Sequence, residues 1–232
     1  GWSFLTISPK LTAIMSDIII TKSSKVPRAL SAALEALDSL DADFCDARAQ
    51  WGNPPDRFQE AGFPALVRII LGQQISRAVA QTLWSRLAEQ QWQSAQALAR
   101  LEYADLQAQG LSRRKSEYII DLARAEAEGR LDLNQLATQP ADIFTKTLIA
   151  YRGIGGWTIS NYRLFCLADL DAWPGNDLAL MEAVKRLKNL PGRPSHAEMD
   201  NFALLWQPYR GAAALMLWHL YACLVRDSRP MG

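Results

Sequence analysis

The hydrophobic residues of this chain recur at helical spacing along most of its length. Between positions 63 and 71 they occupy Phe63, Leu66, Val67, Ile70 and Leu71, which places them on one face of a helix. The same spacing predicts further helices at 29–40, 79–87, 95–107, 115–128, 141–151, 157–168, 178–188 and 212–225. Alternation typical of a strand is scarce, and residues 18–21 are its best example. The sequence therefore predicts an all-α fold, with breaks at Gly110, Gly129, residues 153–156, Pro174-Gly175 and Pro191-Gly192.

The length of 232 residues and a hydrophobic share of 49% are enough for one large or two small domains. Residues 1–24 carry little pattern, and Met15 could be an internal start that follows an unstructured leader. The apolar run at 11–20 is interrupted by Ser16 and Asp17 and is too short to span a bilayer. We expect a leader at 1–24, a helical domain at 25–232, and no membrane segment.

Charge is nearly balanced, with 25 basic against 24 acidic residues and a net charge of +1. No global field would draw the protein to nucleic acid, so DNA binding must come from local placement of groups. The three cysteines are scattered and too few for a four-cysteine cluster, and the two histidines show no metal spacing. We therefore predict no metal site. The odd cysteine count and the lack of a signal-peptide pattern favour the cytoplasm, with association to the nucleoid if the source is bacterial.

A glycine-rich turn follows the helix predicted at 141–151. It reads Arg152-Gly153-Ile154-Gly155-Gly156, and a further helix is expected from Trp157. Glycines allow positive φ and let a phosphate approach the backbone, and the free N–H groups of a helix start favour an anion. The turn could equally be a plain connection between two antiparallel helices. The turn alone leaves both interpretations open.

Asp177 is the candidate for chemistry. It ends the run Pro174-Gly175-Asn176-Asp177 and begins the helix predicted at 178–188. A carboxylate at a helix N-terminus is kept ionised by the helix dipole and can stabilise a growing positive charge. The alternative is that Asp177 or Asn176 only caps this helix.

Several segments together resemble one family. "GIGGWT" at 153–158 and "PGND" at 174–177 place Asp177 twenty positions after Trp157. "LVRIILGQQIS" at 66–76, "GLSRRKSEYI" at 110–119 and "WQPYRGAAALMLW" at 206–218 match further blocks. Over roughly residues 60–225 the chain resembles the helix-hairpin-helix superfamily of DNA base-excision glycosylases, and within it the 3-methyladenine DNA glycosylase II group.

The resemblance implies a two-lobed helical HhH-GPD fold with the active-site cleft between the lobes. Residues of about 65–170 would form the middle lobe, and the N- and C-terminal helices the other. Asp177 would be the catalytic carboxylate. The hairpin would grip DNA through Arg152, Gly153, Gly155, Gly156 and Thr158.

The resemblance also implies which chemistry the chain lacks. Lyase-type branches carry a lysine nucleophile where this chain has Trp157, so a monofunctional enzyme that leaves an abasic site is expected. No cofactor is required. A monovalent cation bound by hairpin carbonyls is compatible with the family, and a monomer is expected.

The family's pocket and DNA-facing loops map onto further residues. Aromatic faces suit a cationic alkylated base, whereas Trp206 and Tyr209 are expected in the core. A wedge that fills the gap left by a flipped base would come from the turn at 110–115. The base pocket would comprise Trp157, Tyr162, Trp218 and Gln74, and the other DNA-binding residues Gln73, Ser76, Leu111, Ser112, Arg113 and Lys115.

The resulting hypothesis is a monofunctional glycosylase that flips alkylated bases, such as 3-methyladenine and 7-methylguanine, out of damaged duplex DNA and hydrolyses their N-glycosidic bond. Two alternatives stay open. One is a glycosylase for deaminated or oxidised bases. The other is a helix-hairpin-helix module that binds duplex DNA without catalysis, although such a module needs no aimed carboxylate.

Overall fold

The computed structural model describes residues 26–227, and side chains for residues 28–224. Within these residues it contains thirteen helices and no strand, as an all-α fold requires. The leader expected at 1–24 and the strand candidate at 18–21 lie outside the described residues. The helices are α1 (Val26–Leu40), α2 (Ala42–Trp51), α3 (Phe63–Gly72), α4 (Arg77–Glu89), α5 (Ala95–Leu98), α6 (Tyr103–Ala108), α7 (Arg113–Ala127), α8 (Leu133–Leu136), α9 (Ala141–Leu148), α10 (Gly156–Leu167), α11 (Leu178–Leu187), α12 (His196–Leu205) and α13 (Arg210–Asp227).

One predicted helix is wrong in extent. The continuous helix expected at 95–107 is two short helices, α5 and α6, because a new start signal interrupts it. The Asp105 carboxylate accepts a hydrogen bond from the backbone N–H of Glu102 at 2.8 Å, as part of a capping box that begins α6. Helices α2, α8 and α12 were not predicted.

Two clusters of buried hydrophobic residues divide the fold. The first, here called the middle lobe, is formed by α3 to α10 and runs from Phe63 to Tyr162. The second, the terminal lobe, is formed by α1, α2, α11, α12, α13 and the C-terminal half of α10. Helix α10 serves both, because Tyr162 packs in the middle lobe and Leu164 in the terminal lobe. The predicted two-lobed helical architecture is confirmed.

The connection formed by residues 52–62 crosses from the terminal lobe to the middle lobe without regular structure. Its backbone is fixed at three points. The N–H of Phe58 donates to Asp56 Oδ1 at 3.1 Å, that of Gln59 to the Phe165 carbonyl at 2.9 Å, and that of Gly62 to the Tyr162 hydroxyl at 2.7 Å. The last two bonds hold the connection against α10, where it lines a cleft between the lobes.

Within the described residues, no helix combines the length and the apolar character needed to cross a membrane.

Candidate active site

Asp177 lies at the start of α11, where three parts of the chain meet. Its Oδ1 accepts the backbone N–H groups of Ala179 and Leu180 at 2.9 and 3.1 Å, which is the geometry of an N-cap. Two indoles also donate to it, Trp157 Nε1 to Oδ2 at 3.0 Å and Trp218 Nε1 to Oδ1 at 3.1 Å. The carboxylate therefore caps the helix and is fixed in orientation at the same time, so the two interpretations of Asp177 are compatible.

The carboxylate lines a cleft of about 620 Å³ between the lobes. One wall is largely aromatic and carries Trp157, Phe165 and Trp218 beside Asn161. The rings of Phe165 and Trp218 are stacked, with centroids 5.5 Å apart. The rest of the lining comes from the 52–62 connection and helices α3 and α4, and includes Trp84. A planar aromatic ring of nucleobase size fits this space beside the carboxylate.

The glycine turn at 153–156 joins α9 to α10 and faces solvent. Gly153 has φ +87°, and a Cβ there would overlap the ring of Tyr118, so both conformation and packing require glycine. Gly155 and Gly156 are exposed, and a Cβ on either would meet nothing within 4 Å. No side chain caps the start of α10. Its first N–H groups therefore face an open surface that suits a phosphate oxygen.

A second loop, residues 73–76, is tied to this turn. Gln73 Nε2 donates to the Gly153 carbonyl at 3.0 Å and to Thr158 Oγ1 at 2.9 Å. Lys115 Nζ donates to the carbonyls of Leu71 and Gln73, both at 2.7 Å. The loop and the hairpin are therefore held as one surface.

These bonds revise the DNA-contact roles expected for three side chains. Thr158 is only 2% exposed, and its hydroxyl is used by Gln73. The ammonium group of Lys115 is engaged with backbone carbonyls, and burial lowers its pKa. Gln73, Thr158 and Lys115 hold the two loops together rather than presenting free side chains to DNA.

Three further expected positions are corrected. Tyr162 is fully buried, stacks on Phe144 and binds Gly62, so it does not line the cleft. Leu111 is 5% exposed and packs in the middle lobe, so it cannot serve as a wedge. Gln74 is exposed at φ 58° and is not among the cleft residues. For Tyr162 and Leu111, tertiary packing decides the direction of a side chain that the motif only places along the chain, whereas Gln74 remains exposed outside the cleft.

The other expected DNA-facing residues are exposed. Ser76 and Ser112 are N-caps of α4 and α7 and accept from Val79 N and Lys115 N. Arg113 and Arg152 both pair with Glu117, and the Arg152 guanidinium also lies 5.4 Å from the Tyr118 ring centroid. The two arginines are therefore close together on the hairpin side of the middle lobe. Trp206 is fully buried, which confirms the expectation that it packs in the core.

Sequence reasoning missed most of the residues that line the cleft, among them Ile75, Arg57, Arg68 and Arg77. Ile75 is a 37% exposed apolar side chain in an otherwise polar loop, a signal that the sequence did contain. Arg68 lies with Cζ 4.6 Å from the Trp84 ring centroid, and burial lowers its pKa. Arg57 belongs to the aperiodic 52–62 connection, so no pattern placed it at the cleft.

No group of three or more His, Cys, Asp or Glu side chains suited to a metal occurs in the part of the chain that the structure describes. The carbonyls of Gly153 and Tyr151 accept hydrogen bonds from Gln73 and Ile154. Each keeps a second lone pair, so a monovalent cation at the hairpin stays a prediction.

The glycine hairpin and the two helical lobes define the class of helix-hairpin-helix proteins. A family model for HhH-GPD superfamily base excision DNA repair proteins matches residues 67–208. The chain belongs to this superfamily, which confirms the resemblance seen in its motifs.

Curated relatives and solved structures point the same way. The chain is 32% identical over 171 residues to the DNA-3-methyladenine glycosylase of Bacillus subtilis (strain 168), covering 68% of this chain and 56% of that one. It is 30% identical over 167 residues to DNA-3-methyladenine glycosylase 2 of Escherichia coli (strain K12), covering 66% and 55%. The chain thus spans little more than half the length of these relatives. The fold matches the Schizosaccharomyces pombe 3-methyladenine DNA glycosylase Mag1, solved with abasic DNA, with a TM-score of 0.75, 24% identity, and coverage of 81% and 95%.

Proposed function

We propose that this protein is a monofunctional DNA glycosylase that excises alkylated bases, of the 3-methyladenine and 7-methylguanine type, from duplex DNA. One observation carries the proposal. The Asp177 carboxylate is fixed by two indole N–H groups at the wall of an aromatic interlobe cleft. The relatives named as 3-methyladenine glycosylases support the substrate class.

The chemistry needs little from the protein beyond placement. A base alkylated on a ring nitrogen is cationic, so when the N-glycosidic bond breaks, its electron pair leaves with the base and the base becomes neutral. Positive charge then develops on the deoxyribose as an oxocarbenium-like centre. Asp177 stabilises this charge electrostatically and orients the water that attacks C1′. The water oxygen forms the new bond to C1′ and passes a proton to the Asp177 carboxylate, which returns it to solvent, and an abasic site is left.

The cleft supports hydrolysis rather than lyase chemistry. A lyase requires an amine that attacks the sugar and forms a Schiff base. At the position where lyase branches carry that lysine, Trp157 instead donates its indole N–H to Asp177. Among the described residues that line the cleft there is no lysine.

Ile75 is the residue best placed to fill the gap left by the flipped base. It is apolar, exposed, and lies at the cleft on the loop tied to the hairpin by Gln73. Side chains of this kind enter the stack when proteins distort DNA through the minor groove. Ile75 replaces the residues of the 110–115 turn as our wedge candidate.

Release of free base from methylated duplex DNA tests the proposal. Asp177→Asn keeps a side-chain oxygen for the cap but removes the negative charge. We expect its single-turnover rate to fall by about 10²- to 10³-fold, on the scale of losing one preorganised electrostatic contact. Its affinity for DNA with an abasic analogue should change little.

Asp132→Asn is the matched control. Asp132 also caps a helix, accepting from Gln135 N at 2.8 Å, but it is exposed and does not line the cleft. The control should release base at the wild-type rate. Binding of DNA by wild type without any base release would reject catalysis and support a non-catalytic module instead.

A second substrate class has one observation in its favour. The guanidinium of Arg68, held over Trp84 at the cleft, repels a cationic base and can donate to a carbonyl oxygen. A neutral deaminated purine such as hypoxanthine has a carbonyl oxygen that would accept a hydrogen bond from this guanidinium. Faster release of hypoxanthine than of 7-methylguanine would favour this class. An enzyme of either kind acts in the compartment that holds the chromosome.

A further inference from the structure

Two arginines lie near each other at the cleft, and neither is paired with a carboxylate. Arg57 comes from the 52–62 connection and Arg77 from the first residue of α4. Among the residues whose side chains the structure describes, neither forms an ion pair, although twelve ion pairs occur elsewhere. Asp56 and Glu60 also line the cleft, but neither carboxylate lies within 4 Å of either guanidinium, so the two arginines keep unpaired positive charge.

The arrangement is unfavourable in the free protein. Burial lowers the pKa of the Arg57 guanidinium, and the positive charge of Arg77 lowers it further. Arg77 also sits in the first turn of a 13-residue helix, where the dipole disfavours a cation. The two guanidiniums repel each other, and that of Arg57 is partly desolvated. An anion bound between them would therefore stabilise both charges.

We infer that Arg57 and Arg77 form a second phosphate-binding site, which holds a backbone phosphate of the damaged strand at the cleft, separate from the phosphate bound by the glycine hairpin. The inference rests on the proposed function for the identity of the ligand as DNA. The hairpin binds DNA through its backbone, and this site would add side-chain contacts from the 52–62 connection and from α4. Guanidinium groups bind phosphate through paired N–H donors, which suits this role better than lysine.

The position of Arg77 favours phosphate over base. Arg77 follows Ile75 by two residues and is exposed, so a wedge at Ile75 would bring the backbone of the flipped nucleotide beside it. A cationic alkylated base would be repelled by both guanidiniums, whereas a phosphate is attracted by both. The site therefore complements the aromatic wall, which receives the base.

The experiment measures binding to duplexes that carry an abasic analogue, with single phosphates of the damaged strand replaced in turn by neutral methylphosphonate. Wild type, Arg57→Gln, Arg57→Lys and Arg77→Gln are compared over a range of salt concentrations. Arg186→Gln serves as the control, because Arg186 is an exposed arginine on α11 that pairs with Glu182 and does not line the cleft.

For wild type, we expect one methylphosphonate position, besides the position bound by the hairpin, to weaken binding by roughly eightfold at 0.1 M salt, the effect of losing one phosphate contact. Arg57→Gln and Arg77→Gln should each weaken binding to unmodified DNA and lose this position's effect. For each of these variants, the slope of the logarithm of the binding constant against the logarithm of the salt concentration should become shallower by about 0.9 at most. Arg186→Gln should have the wild-type slope. Arg57→Lys should retain the slope but bind more weakly, because the ammonium group keeps the positive charge but lacks the paired N–H donors of a guanidinium.

Three results would overturn the site. The glutamine variants could bind with wild-type affinity and slope, or they could respond to every methylphosphonate as wild type does. Alternatively, they could alter the ratio of hypoxanthine to 7-methylguanine release with no change in slope, which would mean that the guanidiniums contact the base. The proposed activity fails separately, when wild type shows the phosphate coupling but releases no base.

Discussion

The side chain of Asp177 meets four N–H donors, two from the backbone of α11 and two from indoles of distant segments. The backbone pair fixes where the carboxylate is, and the indole pair fixes how it is turned toward the cleft. In the proposed reaction each indole would also offer an aromatic surface to the base, so Trp157 and Trp218 would couple the electrostatic and the stacking contributions.

Trp218→Phe tests this coupling, because it keeps an aromatic ring beside Phe165 but removes the 3.1 Å hydrogen bond to Asp177. Loss of one hydrogen bond to a charged group should slow single-turnover base release by about tenfold. The affinity for abasic-analogue DNA should stay within about twofold, since the hairpin and the 73–76 loop are untouched.

Trp206→Phe is the matched control for that change. The Trp206 indole also donates to a carboxylate, Asp41, at 2.8 Å, but it is fully buried and away from the cleft. It should lower the melting temperature and leave the rate unchanged. An equal loss of rate in both variants would mean that the effect is general destabilisation.

Ile75 and Leu111 provide a second test at the residue scale. Ile75→Ala removes an exposed side chain at the cleft, so stability should change by less than about 0.5 kcal/mol while base release from duplex DNA slows. Leu111→Ala removes a side chain that is 5% exposed in the core, so it should cost about 2–4 kcal/mol. Thermal unfolding and base release, measured on both variants, separate the two effects. Equal release by wild type and Ile75→Ala would remove Ile75 as the wedge.

Asp177 and Trp157 could be singled out from the sequence because both belong to short motifs, and the structure places both at the cleft, joined by a hydrogen bond. Their roles stay predictions. The sequence could not predict the directions of Tyr162 and Leu111. Both are apolar enough for the core, and only the packing of α3, α9 and α10 around them decides that they point inward. The place of Arg57 could not be predicted either. The connection that carries it is fixed by the backbone N–H groups of Gln59 and Gly62, which donate to Phe165 and Tyr162, residues a hundred or more positions further along the chain.

At the scale of elements, the glycine hairpin combines one position that packs with two that stay open. Gly153→Ala would place a Cβ into the Tyr118 ring at positive φ, so we expect a loss of about 2–4 kcal/mol of stability. The Cβ added by Gly155→Ala would have no neighbour within 4 Å, and the φ of −114° at this position is one that alanine adopts, so the change should be nearly neutral for stability. Its methyl group lies where a phosphate would approach, however, and should weaken DNA binding. Thermal melts and DNA titrations of both variants check this, and a Gly155→Ala protein with full DNA affinity would argue against the hairpin grip.

Helix prediction succeeded where one apolar face was clear, as in α3, and failed where few side chains are buried. Helix α2 buries only Phe44 and Ala47 among ten residues, so its sequence lacks a recognisable stripe. Helix α12 did carry a start signal, since Ser195 and Glu198 form a capping box. The apolar pattern that follows this signal is too weak to predict a helix.

At the scale of the whole molecule, the terminal lobe joins chain segments that are distant in sequence. Lys188, at the end of α11, reaches two carboxylates at the start of α2. Its Nζ lies 2.6 Å from Oδ2 of Asp41, the residue between α1 and α2, and 2.7 Å from Oδ2 of Asp43, in the first turn of α2. Trp206 donates to the same Asp41 oxygen. This cluster fastens the N-terminal helices to the helix that Asp177 caps, so it stabilises the lobe that carries the carboxylate.

The cluster gives stability a defined pH dependence. Burial raises the pKa of Asp41, but hydrogen bonds from Lys188 and Trp206 outweigh it, and the pKa lies below its usual value of 3.8. A lowered folded-state pKa stabilises the fold above pH 3.8, and this contribution is lost as pH falls through the folded value. For Lys188, burial lowers the pKa, yet the bonds to Asp41 and Asp43 raise it above 10.5, so its contribution holds below that pH and is lost at higher pH.

Asp41→Asn should therefore lower stability by about 2 kcal/mol at pH 7, the scale of a charged hydrogen bond with Asp43 still present. The melting temperature should fall by roughly 4–8 °C. The gap between variant and wild type should be constant from about pH 5 to 9 and should narrow below pH 3.8, as wild-type Asp41 takes up its proton. Asp43→Asn, at a carboxylate whose side chain is 46% exposed, should cost much less. A gap that is independent of pH down to pH 2 would show that the variant acts through packing, and that the charge of Asp41 does not stabilise the terminal lobe.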